Sequence, residues 1–270
     1  MENMNFKKRT RSSSLKSMLS VDIRRALKSR LVYIILLIAL VTPVLMTVMM
    51  SMMDGTVTTD PQTGVQTVIH GPENTWQQIG TLPTEGGADA SGMDVMTMCN
   101  INMAFMGIAV FVCLFISDDF RSGFSKNLFT TRARRGDYVI SKTLMGISVG
   151  ALMLILYFIG AILGGAIAGL SFETVGFSFA NLLLCMLAKI CLMAVFVPIF
   201  VLISVAAKRT AWLSIVGSLG GGMLLFMTVS LITPLTATLL HTLLCLAGGA
   251  LFSVGLGFAS KKVLENTAVV

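Results

Sequence analysis

Charge is what this sequence has least of. Of its 270 residues, 12% are Asp, Glu, Lys or Arg and 55% are apolar. A soluble domain carries about 25% charged residues because its surface faces water, so lipid is one of the solvents this chain is built for. Histidine is nearly absent, at two residues, and the carboxylates are scattered, which leaves no cluster with metal-ligand spacing. No Gly-Lys-Ser/Thr phosphate-binding loop occurs anywhere, so the chain is not its own P-loop ATPase. The five cysteines (Cys99, Cys113, Cys185, Cys191 and Cys245) lie in or at the ends of apolar runs and imply no disulfide framework. No internal repeat of long period is present. A cleavable signal is not expected either, because the first apolar stretch is too long and follows a long polar segment.

What is present is a series of long apolar runs. A lipid-crossing helix needs roughly 20 apolar residues, and six stretches meet that need: 31–53, 98–117, 143–170, 181–207, 213–233 and 239–260. The expected fold is therefore an all-α integral membrane protein with a six-helix domain over 31–260. The net charge is +7, and its placement sets the orientation. Lys and Arg crowd the segment before the first run, the 118–142 loop, Lys208–Arg209 and Lys261–Lys262, while 54–97, 171–180 and 234–238 have none. Those three loops carry Asp54, Asp60, Glu73, Glu85, Asp89, Asp94 and Glu173. Basic loops stay in the cytoplasm, so both termini are expected inside, in a cell membrane and most simply a bacterial plasma membrane. Basic residues dispersed over alternate loops suit anionic lipid and not nucleic acid.

Residues 1–14 read as a basic, Ser-rich disordered tail, and 261–270 as a C-terminal tail. Over 15–30, Leu15, Met18, Leu19, Ile23, Ala26 and Leu27 follow helical spacing, with Lys16, Arg24, Arg25 and Lys28 on other faces. Such a helix either lies along the inner interface or anchors the first span by snorkelling. The 54–97 loop, the larger outer one, is too small for a core of its own; short helices resting on the bundle, or mobility, are both compatible with it. Small residues at four-residue spacing (Gly160 with Gly164, Gly217 with Gly221, Gly249 with Ser253 and Gly257) predict close helix packing. Pro43 and Pro198 predict kinks in the first and fourth spans.

Few residues offer chemistry. Gly146-Ile147-Ser148-Val149-Gly150 matches a nucleophile-elbow string, but His241 belongs to the opposite end of the bundle, roughly 25 Å away across a bilayer. A base must reach hydrogen-bond distance, so no protease is expected. Lys189 is the one basic residue inside a span. A charge there usually faces the bundle interior or a wet cavity. It then either lines a substrate path with Asn100 and Asn102, or pairs with Glu173, or snorkels outward. In the 118–142 loop, Phe124, Leu128 and Asn127 share one face of a short helix. That face is read either as a docking element for another protein or as an ordinary basic loop whose aromatics touch headgroups.

The acidic pair Asp118-Asp119, then Gly123, Lys126-Asn127-Leu128, Arg134 or Arg135, Tyr138 and Ser141-Lys142, resemble the inner loop of ABC-2 type permeases. Residues 22–30 are similar to that family's entry helix, and the six-span layout matches throughout; the large loop after the first span departs from the simplest members. The resemblance implies a non-catalytic permease subunit of an ATP-binding-cassette exporter. It holds no cofactor itself, since ATP and Mg would reside in a separate cytoplasmic ATPase subunit. It also implies a dimer with itself or a sister permease, and a coupling helix formed by Gly123, Phe124, Lys126, Asn127, Leu128 and Phe129. The competing classes are an ATP-independent transporter or channel and a membrane-anchored immunity or sensor protein. Ion-coupled transporters usually carry several intramembrane ionisable residues, and only Lys189 qualifies here.

Overall fold

The computed structural model describes residues 11–59, 66–68, 71–80, 100–130, 134–208 and 210–266. Among them run eight α-helices: α1 (Arg11–Lys28), α2 (Arg30–Met53), α3 (Met103–Arg121), α4 (Phe124–Thr130), α5 (Arg135–Ala168), α6 (Phe179–Ala207), α7 (Ala211–Ile232) and α8 (Leu239–Asn266). A small antiparallel hairpin pairs β1 (Val57–Thr59) with β2 (Gln66–Val68), and a 3-10 turn covers Thr75–Gln78. Five helices (α2, α3, α5, α6 and α8) are long and apolar enough to cross a membrane. The sequence reading expects six. The remaining one, α7, is helical over 22 residues, with Ala211–Leu225 as its shorter apolar stretch.

Several boundaries differ from the sequence reading. Helix α1 starts at Arg11, inside the segment read as a tail; residues 1–10 of that tail, and 81–99 of the large loop, lie outside the described residues. Most of the 118–142 loop is helix. The Arg134 carbonyl accepts from the amides of Asp137 and Tyr138 at 3.1 and 3.3 Å, so α5 begins eight residues before position 143. Hydropathy hides these turns because Tyr138, Ser141 and Lys142 are buried by pairing, as described below. Helix α8 likewise continues past residue 260 to Asn266.

Helix α3 sits at the centre, against α5, α6 and α7, while α2 packs along α5 and α6 along α8. The long seams use small residues. A Cβ built on Gly160 would lie 2.3 Å from the Leu40 carbonyl oxygen of α2, and one on Gly249 would lie 2.9 Å from the Cys191 carbonyl oxygen of α6. Those contacts are possible only because glycine lets two backbones touch. Along α2 the buried residues are Val32, Ile35, Ala39, Pro43 and Thr47, three or four apart. Its other faces expose Tyr33, Ile34, Leu37, Ile38 and Leu45. Large apolar side chains facing outward are the pattern of a bundle solvated by lipid. Both α2 and α6 remain single helices through Pro43 and Pro198, and the Thr47 hydroxyl donates to the Pro43 carbonyl at 2.7 Å.

At one end of the bundle the described part of the large loop closes over the helices. The amide of Thr75 donates to Ser171, the Trp76 indole to Phe172 and the Asn74 side chain to Glu173, all to backbone carbonyls at 2.7–3.1 Å. Gln78 accepts from Tyr157 of α5, and its carbonyl from the Ile101 amide. A short helical turn resting on the bundle is what this portion of the loop forms.

Candidate functional site

The opposite end gathers charge. On α1, Asp22 and Arg25 are three apart; on α5, Tyr138, Ser141 and Lys142 fall at zero, three and four. Each set therefore occupies one helix face. The last turn of α3 brings Asp118 and Asp119 between them. Lys142 Nζ donates to Asp22 Oδ1 and to Asp119 Oδ2, each at 2.7 Å. The Ser141 hydroxyl donates to Asp22 Oδ2 at 2.6 Å, and Tyr138 Oη to Asp119 Oδ2 at 3.0 Å. Arg25 pairs with Asp119 Oδ1 through one guanidinium nitrogen and with Asp118 Oδ2, at 3.4 Å, through the other.

Asp119, Asp22 and Lys142 are all essentially buried, at 0, 1 and 2% exposure. Isolated charges there would be untenable. With Arg25 the four charges cancel, and each carboxylate oxygen has a donor. The Lys142 ammonium also lies 4.1 Å from the Phe115 ring centroid, on the π-face that favours a cation. Helices α1, α3 and α5 are thus joined by one neutral, hydrogen-bonded cluster.

Helix α4 is fastened to this cluster. Gly123, at φ +73°, takes the left-handed conformation that turns the chain sharply off α3. The Arg25 guanidinium then covers the Phe124 ring at 4.3 Å, and Phe129 meets Tyr138 edge-on at 5.5 Å. Leu128 and Phe129 pack on the core, Ser125 is buried, and Lys126 and Asn127 are exposed. Sequence reasoning put Phe124, Leu128 and Asn127 on one outward face. The structure instead turns Phe124 and Leu128 partly inward, because Arg25 and the bundle offer their rings and methyls a partner. The face open to solvent is polar.

A second polar cluster lies near the capped end. Lys189 is fully buried and donates to Asn102 Oδ1 at 2.9 Å and to Thr233 Oγ1 at 2.8 Å. Asn102 in turn donates to Ser230, and its amide to Asn100 Oδ1. Lys189, Asn100 and Asn102 are therefore brought together. Lys189 neither snorkels nor pairs with Glu173, whose carbonyl is held by Asn74. Deeper in the bundle Cys113, Ser204, Ser214 and Ser218 link α3, α6 and α7 through hydroxyl and thiol contacts of 2.9–3.3 Å. Ser148 donates to its own helix at Leu144 and His241 contacts Thr238, so the two share nothing. Among the described residues no group of three or more His, Cys, Asp or Glu is placed to hold a metal.

The sequence reading takes Asp22 only as the first residue of the 22–30 segment, with no role of its own. The available signal was an acid on the apolar stripe of an otherwise basic helix, four residues from both Met18 and Ala26. Arg25, Asp119, Tyr138, Ser141 and Lys142 were named only as parts of a motif, with no hint that they converge.

Compared with known families, residues 23–229 match the model described as ABC-2 family transporter protein. That span includes α4, Lys189 and every member of the charged cluster except Asp22, which immediately precedes it. Neither the curated proteins nor the solved structures yield a match.

Proposed function

Given that this chain belongs to the ABC-2 family of transporter proteins, we propose that it is the non-hydrolysing, membrane-spanning subunit of an ATP-driven exporter. A separate cytoplasmic ATPase supplies the hydrolysis, and the permease works as a dimer with itself or a sister chain. Helix α7 counts as the sixth span, since 22 helical residues reach about 33 Å at 1.5 Å each. The charged cluster then faces the cytoplasm with every Lys and Arg except Lys189, and α1 lies along the inner interface.

The observation that carries this reading is how α4 is mounted. Among the described residues it is the one short helix at the basic end, it presents Lys126 and Asn127 outward, and its rings rest on Arg25 and Tyr138 of the buried cluster. A pull on α4 is passed to α1, α3 and α5 together, because those helices share Asp119, Lys142 and Asp22. Force from an ATPase needs such a rigid joint to shift a bundle between two discrete arrangements. The Lys189 cluster, buried without an ion pair among the described residues, supports a polar stretch of the substrate path near the outer end and gives no support to ion coupling.

The test is retention of the motor. The tagged chain, purified in mild detergent from its native membranes, carries an ATP-hydrolysing partner. Lys126→Glu with Asn127→Trp changes only exposed residues of α4 and lowers the co-purified ATPase activity at least tenfold, with the permease still folded. Full retention removes α4 from docking. Absence of any ATPase from the wild-type preparation sinks the exporter reading.

A further inference from the structure

Between the first turns of α5 and the last turns of α8 lies a cavity of about 750 Å³. Its polarity runs along the helix axes. Arg134, Arg135 and Lys261 stand at its mouth, while Leu144 and Ile147 of α5 and Val254 of α8 line its depth. From Arg135 to Ile147 is roughly 18 Å of helix, close to the ~15 Å of one hydrocarbon leaflet. A cationic mouth over an apolar slot of one leaflet's depth is the mirror image of a phospholipid.

The charges favour a net negative headgroup. Three cations line the cavity against two carboxylates, Asp137 and Glu265. Asp137 is buried, and Glu265 sits 3.6 Å from the Lys261 ammonium. Arg135 donates to the Glu265 carbonyl at 3.2 Å, and Arg134 makes no ion pair among the described residues. Positive charge is thus left over at the level of a lipid phosphate, where basic pockets between membrane helices hold anionic headgroups. We infer that this groove binds one anionic glycerophospholipid, its phosphodiester on Arg134 and Lys261 and its acyl chains along Leu144 and Val254. The bound lipid links α5 to α8 at the end where α4 is mounted. Assigning it to the inner leaflet rests on the orientation proposed above; the binding itself does not.

The groove offers a clean blocking variant. A Cβ at Gly257, a cavity-lining residue of α8, would meet nothing within 4 Å, so Gly257→Leu adds apolar bulk at the slot with open space for its first carbon. The full chain, stripped of lipid in detergent, is incubated with dioleoyl phosphatidylglycerol or dioleoyl phosphatidylcholine and read by native mass spectrometry. Phosphatidylglycerol is retained at least fivefold over phosphatidylcholine, and that preference disappears in Arg134→Ala/Lys261→Ala. Gly257→Leu loses both lipids at unchanged thermal stability. Equal retention of the two lipids by the wild type, or undiminished phosphatidylglycerol on Gly257→Leu, overturns the inference. Displacement of the lipid by inorganic phosphate would overturn it too, in favour of a small-anion site. No ATPase enters this measurement, so its failure and the failure of the exporter reading remain distinguishable.

Discussion

Replacing Lys142 by Met tests the charged cluster where it is most exposed to failure. The ammonium joins two carboxylates, Asp22 and Asp119, and all three side chains are out of water. Met has similar length and packs on Phe115, so little volume is lost. What remains is two buried carboxylates facing the single guanidinium of Arg25. Removing one partner of a buried ion pair costs about 3–5 kcal/mol, because the other is left uncompensated. At roughly 2–4 °C per kcal/mol for a domain of this size, the melting temperature falls by about 10 °C. Asp22→Asn alone keeps the Lys142–Asp119 pair and costs about 1.5–3 kcal/mol, the range for a hydrogen bond to a charged group. The double variant restores neutrality with Arg25 and Asp119 still paired, and is therefore more stable than Lys142→Met. The assay is thermal unfolding in detergent followed by a thiol-reactive dye, since Cys113, Cys185 and Cys245 are buried in the folded state. Losses that simply add in the double variant, or a shift under about 2 °C for Lys142→Met, would refute a shared buried network.

Two further expectations follow from the packing. Gly160→Ala forces α2 and α5 apart, since its Cβ would meet the Leu40 carbonyl oxygen at 2.3 Å. Overpacking of this kind costs about 1–3 kcal/mol, and Gly257→Ala in the same melting assay, meeting nothing, serves as the neutral control. Lys189, at 0% exposure, stays unlabelled when the detergent-solubilised protein is treated with a membrane-impermeant amine reagent, whereas Lys126 is labelled. Modification of Lys189 at the rate of Lys126 would return it to the snorkelling placement.

How legible the molecule was depends on which physical term wrote each feature. Apolar runs long enough for lipid announce themselves, so α2, α3, α5, α6 and α8 were visible, and Gly160 and Gly249 marked seams that the backbones do use. Hydropathy fails where charge is neutralised in pairs. The first turns of α5 read as loop because Lys142 looks solvated in one dimension, and only three dimensions supply Asp22 and Asp119 as its neighbours. The same limit hid the inward turn of Phe124. Its spacing with Leu128 told of an apolar face, but which surface that face meets depends on Arg25, ninety-nine positions earlier. Lys189 was singled out for the opposite reason. It is unpaired in sequence; of its partners Asn102 is already grouped with it there, whereas Thr233 is a neutral group that no charge pattern reveals.

Orientation underlies the motor contact and the leaflet of the lipid groove, and it has a physical warrant of its own. The end that holds α4 also holds Arg121, Lys126, Arg134 and Arg135, whereas the capped end shows Glu73 and Glu173. Carrying each cation outward against a potential of 100 mV costs about 2.3 kcal/mol, and it is Lys and Arg, not net charge, that retain a loop inside. Single cysteines read this directly. Ser122 and Thr174 are both exposed, one beside α4 and one in the turn between α5 and α6. With Cys99 replaced by Ser, an impermeant maleimide added to intact cells labels Thr174→Cys at once and Ser122→Cys only after permeabilisation. Labelling of Ser122→Cys in intact cells would place α4 on the wrong side of the membrane for any cytoplasmic ATPase. The charged cluster would then be a structural clamp with no motor to serve.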